Sequence, residues 1–161
     1  MERIINTVAD SIEREVFDFC ERHRGLAKEA AVVKPSGSGW TFKEIIGHLI
    51  DSASNNHQRI TRLQLAPELQ FPGYENEKWL ATEKWNLLGW EEILDLFRAY
   101  NIFLAHVIRN VDPECLNNRW FGRDRFGERG YSLEEMIVDY RKHVREHLDQ
   151  FEVQLKEIQE H

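Results

Sequence analysis

Apolar residues recur every three or four positions along most of this chain. Between Ile4 and about Cys20, the residues Ile5, Val8, Ile12, Val16 and Phe19 fall on one face of a helix. The Arg22-His23-Arg24-Gly25 segment ends that pattern. Lys34-Pro35-Ser36-Gly37-Ser38-Gly39 then reads as a loop, because proline blocks a helix while glycine and serine favour turns. A second helix opens sharply at Thr41-Phe42-Lys43-Glu44. Thr41 is spaced to cap it and Glu44 to reach back to the Thr41 amide, with Trp40 at the staple position before the cap. Phe42, Ile45, Ile46, Leu49, Ile50, Ala53, Ile60 and Leu63 form its apolar face, and Pro67 and Phe71-Pro72-Gly73 stop it.

Residues 66 to 89 are too apolar for an idle linker, since they carry Tyr74, Trp79 and Trp85; a folded excursion with a short helix near Trp79 is expected. A third long helix covers Trp90 to about Asn110, with Ile93, Leu94, Phe97, Tyr100, Phe103, Leu104 and Val107 inward, and Pro113 closes it. Residues 117 to 131 follow as a loop rich in arginine and glycine, with Trp120, Phe121, Phe126 and Tyr131. A second capping box, Ser132-Leu133-Glu134-Glu135, opens the last helix. Its stripe of Leu133, Met136, Ile137, Tyr140, Val144, Leu148, Phe151, Leu155 and Ile158 runs almost to the end of the chain. No internal repeat, low-complexity tract or strand-like alternation stands out. The pattern predicts an all-α fold: one domain over residues 1–161, an antiparallel up-down four-helix bundle with long loops after helices two and three. Those two connections are where a bundle would build a pocket.

Composition narrows the partners. With 161 residues, 42% hydrophobic and 30% charged, the chain can bury a sizeable core without disulfides. Its 21 basic and 28 acidic residues give a net charge of −7. That argues against non-specific nucleic-acid binding, which rests on neutralising phosphates, and against attraction to anionic lipid. Cys20 and Cys115 stand alone, as expected in a reducing compartment. There is no apolar run of ~18 residues to span a membrane. The start, Met1-Glu2-Arg3-Ile4-Ile5-Asn6, lacks a signal peptide's apolar centre. A cytoplasmic protein is the expectation.

The chemical signal lies in Tyr140-Arg141-Lys142-His143-Val144-Arg145-Glu146-His147. His143 and His147 are spaced i, i+4, which places both on one helix face about 5–6 Å apart at Cβ. Two imidazoles at that separation can share one transition ion. The spacing is not that of a zincin, because residue 144 is valine where H-E-x-x-H has its general base one residue after the first histidine. A third ligand must come from another helix. His161 is terminal, His23 sits at a charged helix end where it suits the negative end of the dipole, and His106 is placed toward solvent. His57 lies in the polar stretch Asn55-Asn56-His57-Gln58-Arg59. His48 is the best choice, on the border of the second helix's apolar face and able to line a cleft. Asp51 and Asn55, at i+3 and i+7, extend the same edge and are the candidate catalytic residues, to orient ligands or accept a proton. Tyr74, Trp79 and Tyr140 are candidate walls of a substrate pocket, and Trp120, Phe121 and Arg123 a candidate lid.

Gly39-Trp40-Thr41-Phe42-Lys43-Glu44-Ile45-Ile46-Gly47-His48-Leu49-Ile50-Asp51-Ser52 and the later His143-x-x-x-His147 resemble the DinB-like superfamily, above all its branch of YfiT-like metal-dependent hydrolases and bacillithiol transferases. Asn55-Asn56-His57-Gln58-Arg59-Ile60 and the segment from Pro72-Gly73-Tyr74 to Trp79 are similar too, so the likeness spans about residues 5 to 158. It implies an up-down four-helix bundle holding a divalent ion, zinc or nickel, on His48, His143 and His147. It also implies a small-molecule substrate, a low-molecular-weight thiol as co-substrate in some members, and dimers in many. Three neutral imidazoles leave coordination positions open, as in catalytic rather than structural sites. An ion so held can serve either hydrolysis or thiol transfer. A metal-binding or stress-response helical module without turnover is the alternative.

Overall fold

Both capping boxes close as their spacing requires. Thr41 Oγ accepts from the Glu44 amide at 3.1 Å, and Glu44 Oε2 accepts from the Thr41 amide at 2.8 Å. Ser132 and Glu135 repeat the exchange at 3.1 and 2.9 Å. These boxes start two of the long helices in the computed structural model, which describes residues 2–35, 37, 39–122 and 130–160. In chain order the elements are α1 (Glu2–His23), α2 (Lys28–Ala31), α3 (Phe42–Leu63), β1 (Glu68–Gln70), α4 (Asn76–Glu83), α5 (Trp90–Arg109), β2 (Arg119–Phe121), β3 (Tyr131–Ser132) and α6 (Leu133–Gln159).

The four long helices form the expected bundle, and the expected stripes face its centre. Ile12, Val16, Phe42, Ile46, Leu49, Ile60, Ile93, Phe97, Ile137, Val144 and Phe151 are all essentially inaccessible. Phe103, expected inward, is 47% exposed. It packs edge-on against the His57 ring at 5.0 Å at the rim of the α3–α5 seam. The short helix near Trp79 is α4.

Ion pairs and ring contacts give the direction of each helix. Arg109 of α5 bonds Asp10 and Glu13 of α1, while the Trp90 indole bonds the His23 carbonyl, so α1 and α5 are antiparallel. His48 meets His143 and Phe42 meets Phe151, so α3 and α6 are antiparallel. Lys43 reaches the Leu88 carbonyl, His57 reaches Tyr100 and Gln64 reaches Asp112, so α3 and α5 run parallel. Glu15 takes Arg141 and Arg145 while Arg22 takes Glu152, so α1 and α6 also run parallel. Around the bundle the order is therefore up-down-down-up, where the amphipathic pattern suggested strict alternation. The reason is geometric. A parallel pair needs a return along the whole bundle, ~30 Å for a twenty-residue helix, and residues 64–89 supply it.

That crossover also supplies the first strand of a small sheet. β1 pairs parallel with β2, and β2 antiparallel with β3, with Leu69 opposite Trp120 and Trp120 opposite Tyr131. No strand was expected, because elements of two or three residues are too short to display alternation. Trp120 anchors this sheet: it is buried, its indole N–H donates to the Phe71 carbonyl at 2.8 Å, and the Arg59 guanidinium lies 4.2 Å over its ring. No described helix is long and apolar enough to cross a membrane.

Candidate metal centre

The antiparallel crossing of α3 and α6 brings three histidines to one point. His48 Nε2 lies 3.2 Å from His143 Nε2, and His147 Nε2 lies 3.1 Å from the same atom. Their rings stand edge to face, with centroids 4.6–5.1 Å apart. A ring nitrogen has one proton or one lone pair, so His143 Nε2 cannot satisfy two neighbours at once. An ion at the common point satisfies all three. Bond lengths of ~2.0–2.1 Å at near-tetrahedral angles put such nitrogens roughly 3.3 Å apart, close to the spacing here. The donor set therefore fits a divalent ion, and His48, His143 and His147 form the ligand-like histidine cluster among the described residues.

Each imidazole is placed by a different local device. His48 sits near the start of α3, whose origin the Thr41 cap fixes, and Trp85 packs where a side chain at Gly47 would be. His48 is 3% exposed. Burial, and then the neighbouring His143 and His147, push its pKa down to about 3. Its Nδ1 is buried without a hydrogen-bond partner, so nothing on that side favours a charged ring. Burial also lowers the pKa of His147, against the opposing pull of Glu146. These rings keep their lone pairs at neutral pH, as ligands must. His143 Nδ1 lies 3.3 Å from Ser52 Oγ. A Ser52 hydroxyl accepting from Nδ1–H leaves Nε2 as the lone-pair atom. His143 and His147 are half-buried, which leaves the α6 side of the cluster the more open one.

Asp51 lies one turn beyond His48 and is 3% exposed. Burial raises its carboxyl pKa, and the neighbouring carboxyl of Glu83 on α4 raises it further. Glu83 Oε2 accepts the Trp85 indole N–H at 2.9 Å. Asn55 is buried too, but its amide donates to the Asp51 backbone carbonyl at 2.9 Å. The Tyr74 ring lies tilted against Trp79, centroids 4.7 Å apart; burial, and then the nearby Asp51 carboxyl, push its hydroxyl up to about 12. Tyr140 is buried in the core, and its hydroxyl donates to Asn101. Of the lid candidates, Trp120 is the sheet anchor described above, Phe121 is half-buried in β2, and Arg123 lies outside the described residues, as do Phe126 and His161.

The other described histidines do not join the cluster. His57 Nδ1 pairs with the Tyr100 hydroxyl at 2.9 Å, and His106 is exposed. His23, expected at a charged helix end, is 6% exposed, with Nε2 2.7 Å from Glu152 Oε1. Parallel packing of α1 and α6 puts that carboxylate against it.

Three contributors escaped the sequence reading. Ser52 sits at i+4 from His48, a spacing that could have flagged it as a partner for a ligand on the facing helix. Trp40 was assigned only a stapling role, yet its ring lies 4.8 Å from His48 and stacks at 6.3 Å over His147. Glu83 carried no local signal, since the crossover alone brings it to Asp51.

Comparison with known proteins agrees with this architecture. The family model described as the DinB superfamily matches residues 18–151. Among solved structures the chain is similar to YfiT from Bacillus subtilis, described as a probable metal-dependent hydrolase with an unusual four-helix bundle topology. The likeness has a TM-score of 0.76 at 15% identity and covers 98% of this chain and 87% of that one. At that identity it speaks for the fold. No curated protein matches the chain.

Proposed function

The chain belongs to the DinB superfamily, and from that premise we propose that it is a metal-dependent enzyme acting on a small hydrolysable or electrophilic molecule. His48, His143 and His147 hold a divalent transition ion, zinc or nickel; imidazole donors suit both. The observation that carries this reading is the meeting of three Nε2 atoms from two helices, within 3.1–3.2 Å of the central one. Bound there, the ion supplies Lewis acidity and lowers the pKa of a water or a thiol.

The chain's own residues supply the rest. Depressed basicity keeps His48 and His147 as donors rather than cations. Ser52 fixes the tautomer of His143. Asp51, whose pKa burial and then the neighbouring Glu83 push up to about 8, is the acid–base group of the site, one helical turn from His48. Tyr74 and Trp79 wall the substrate side. The description of YfiT as a hydrolase supports a hydrolytic version; transfer of a low-molecular-weight thiol is the other version of the same chemistry. Two unbonded cysteines support a reducing, cytoplasmic setting.

The test has two parts. Elemental analysis of tag-free protein should find about one ion per chain, lost in His143→Ala; equal metal in both would remove the site. Turnover of monochlorobimane or a chlorinated aromatic is then compared with and without bacillithiol, cysteine or coenzyme A. Thiol-dependent conjugation identifies a transferase and turnover without thiol a hydrolase. A metal-loaded protein inert in every arm would be a binding module.

A further inference from the structure

Trp40 touches two of the three imidazoles, and these come from different helices. Its ring centroid lies 4.8 Å from His48 of α3 at an interplanar angle of 42°, and 6.3 Å from His147 of α6 at 23°. The residue stands just before the α3 cap, so the Thr41–Glu44 box fixes its backbone. The indole is aimed by something else. Its Nε1–H donates to Glu77 Oε1 at 2.9 Å, and Glu77 lies in the first turn of α4, inside the crossover.

The crossover is tied to this same stretch at several further points. Thr41 Oγ donates to Asn86 Oδ1 at 2.7 Å, Asn86 Nδ2 donates to Glu44 Oε1 at 2.9 Å, and Lys43 Nζ donates to the Leu88 carbonyl at 2.6 Å. Trp85 fills the space beside Gly47, so close that a Cβ there would lie 2.5 Å from its Cγ. Contacts from residues 77 to 88 thus converge on residues 40 to 47, which lead directly into His48.

We propose that Trp40 is a positioning residue for the three-imidazole centre and that Glu77 clamps it, so that seating the crossover and aligning the imidazoles are one event. The inference rests on the metal-site reading above. An indole packed beside His48 and His147 limits how far either ring can tilt, and a tilted ring moves its Nε2 away from the common point. Partners that orient ligands without touching the ion are worth about 10–100-fold in metal affinity. Glu77 touches no imidazole, so its influence must pass through Trp40.

The experiment compares wild type, Glu77→Ala, Glu77→Gln and Trp40→Phe. Zinc affinity is measured by competition with a chromophoric chelator, and circular dichroism serves as the folding control. Glu77→Ala should bind zinc at least about 10-fold more weakly. Glu77→Gln, which keeps an acceptor oxygen, should restore most of that loss. Trp40→Phe, which keeps a ring but not the N–H, should match Glu77→Ala, and the double variant should be no weaker than either single one. Unchanged affinity in Glu77→Ala overturns the clamp. A second readout needs no metal. The protein has 5 tryptophans, and subtracting the Trp40→Phe emission isolates that of Trp40. In metal-free Glu77→Ala this component should shift to the red and become more accessible to acrylamide; an unmoved component overturns the proposal. A wild type that binds no zinc would instead end the metal-site reading, and the emission experiment would still decide the clamp.

Discussion

Gly47 shows how tightly one residue beside a ligand is constrained. An added Cβ would lie 2.5 Å from Trp85 Cγ, the ring atom nearest that residue's backbone and least able to swing aside. Alanine gains about 1 kcal/mol in helix propensity over glycine, but overpacking costs ~1–3 kcal/mol. Gly47→Ala should therefore lose roughly 0–2 kcal/mol net, read from denaturant midpoints, and should weaken zinc binding by displacing His48. His48 itself gives a pH dependence. Its folded pKa is pushed from 6.5 to about 3, so on acidification the unfolded chain takes up the proton first. The metal-free protein should lose stability as pH falls from about 6.5 towards 3, and stability should rise again on the way back. His48→Asn should flatten that part of a plot of urea midpoint against pH. An unchanged slope would mean that His48 is not held neutral by the fold.

At the scale of an element, the two capping boxes look equivalent in sequence and differ in structure. Replacing a Ser or Thr cap by alanine costs about 1 kcal/mol. Ser132→Ala should cost about that much. Thr41 also donates to Asn86 across the crossover, so Thr41→Ala should cost roughly 1 kcal/mol more, the net worth of a typical hydrogen bond. Thermal denaturation of the two variants side by side checks the difference. Equal losses would show that the Thr41–Asn86 bond contributes nothing. The same crossover explains why α4 is ordered although only Leu80 of its residues is buried. Its role is to carry Glu77 to Trp40 and Glu83 to Asp51 rather than to fill the core.

For the whole molecule, the up-down-down-up order decides where chemistry can occur. Because α3 and α5 run parallel, the intervening chain must travel the length of the bundle and passes the end of α3 that bears His48. An ion held by His48, His143 and His147 would tie α3 to α6 across an antiparallel seam, so metal and fold should stabilise one another. At a free zinc concentration 100 times the dissociation constant, the stabilisation should be about 2.7 kcal/mol. It should vanish in His143→Ala, as measured by the shift in thermal midpoint. A wild-type midpoint indifferent to zinc would contradict the binding site.

Much of this was legible along the chain, for reasons that can be named. The apolar stripes of α1, α3, α5 and α6 and the two S/T-x-x-E boxes are local in sequence, and local spacing sets which face of a helix is buried and where it starts. The i, i+4 pair of His143 and His147 is local too, and His48 stands out by its place on the border of the α3 apolar face, a reading that the likeness of the Gly39–Ser52 stretch to a known family strengthens. Amphipathic periodicity, however, says that a helix has a buried face and not which helix faces it. The parallel pairing of α3 with α5, the short sheet around Trp120, the burial of His23 against Glu152 and the contact of Glu83 with Asp51 all join segments far apart in the chain. The amino-acid order alone determined the four helices and the histidines worth watching. Only the closing of the bundle decided that three ring nitrogens meet and that the crossover holds Trp40 beside two of those rings, because such contacts form between faces whose partners are chosen by packing.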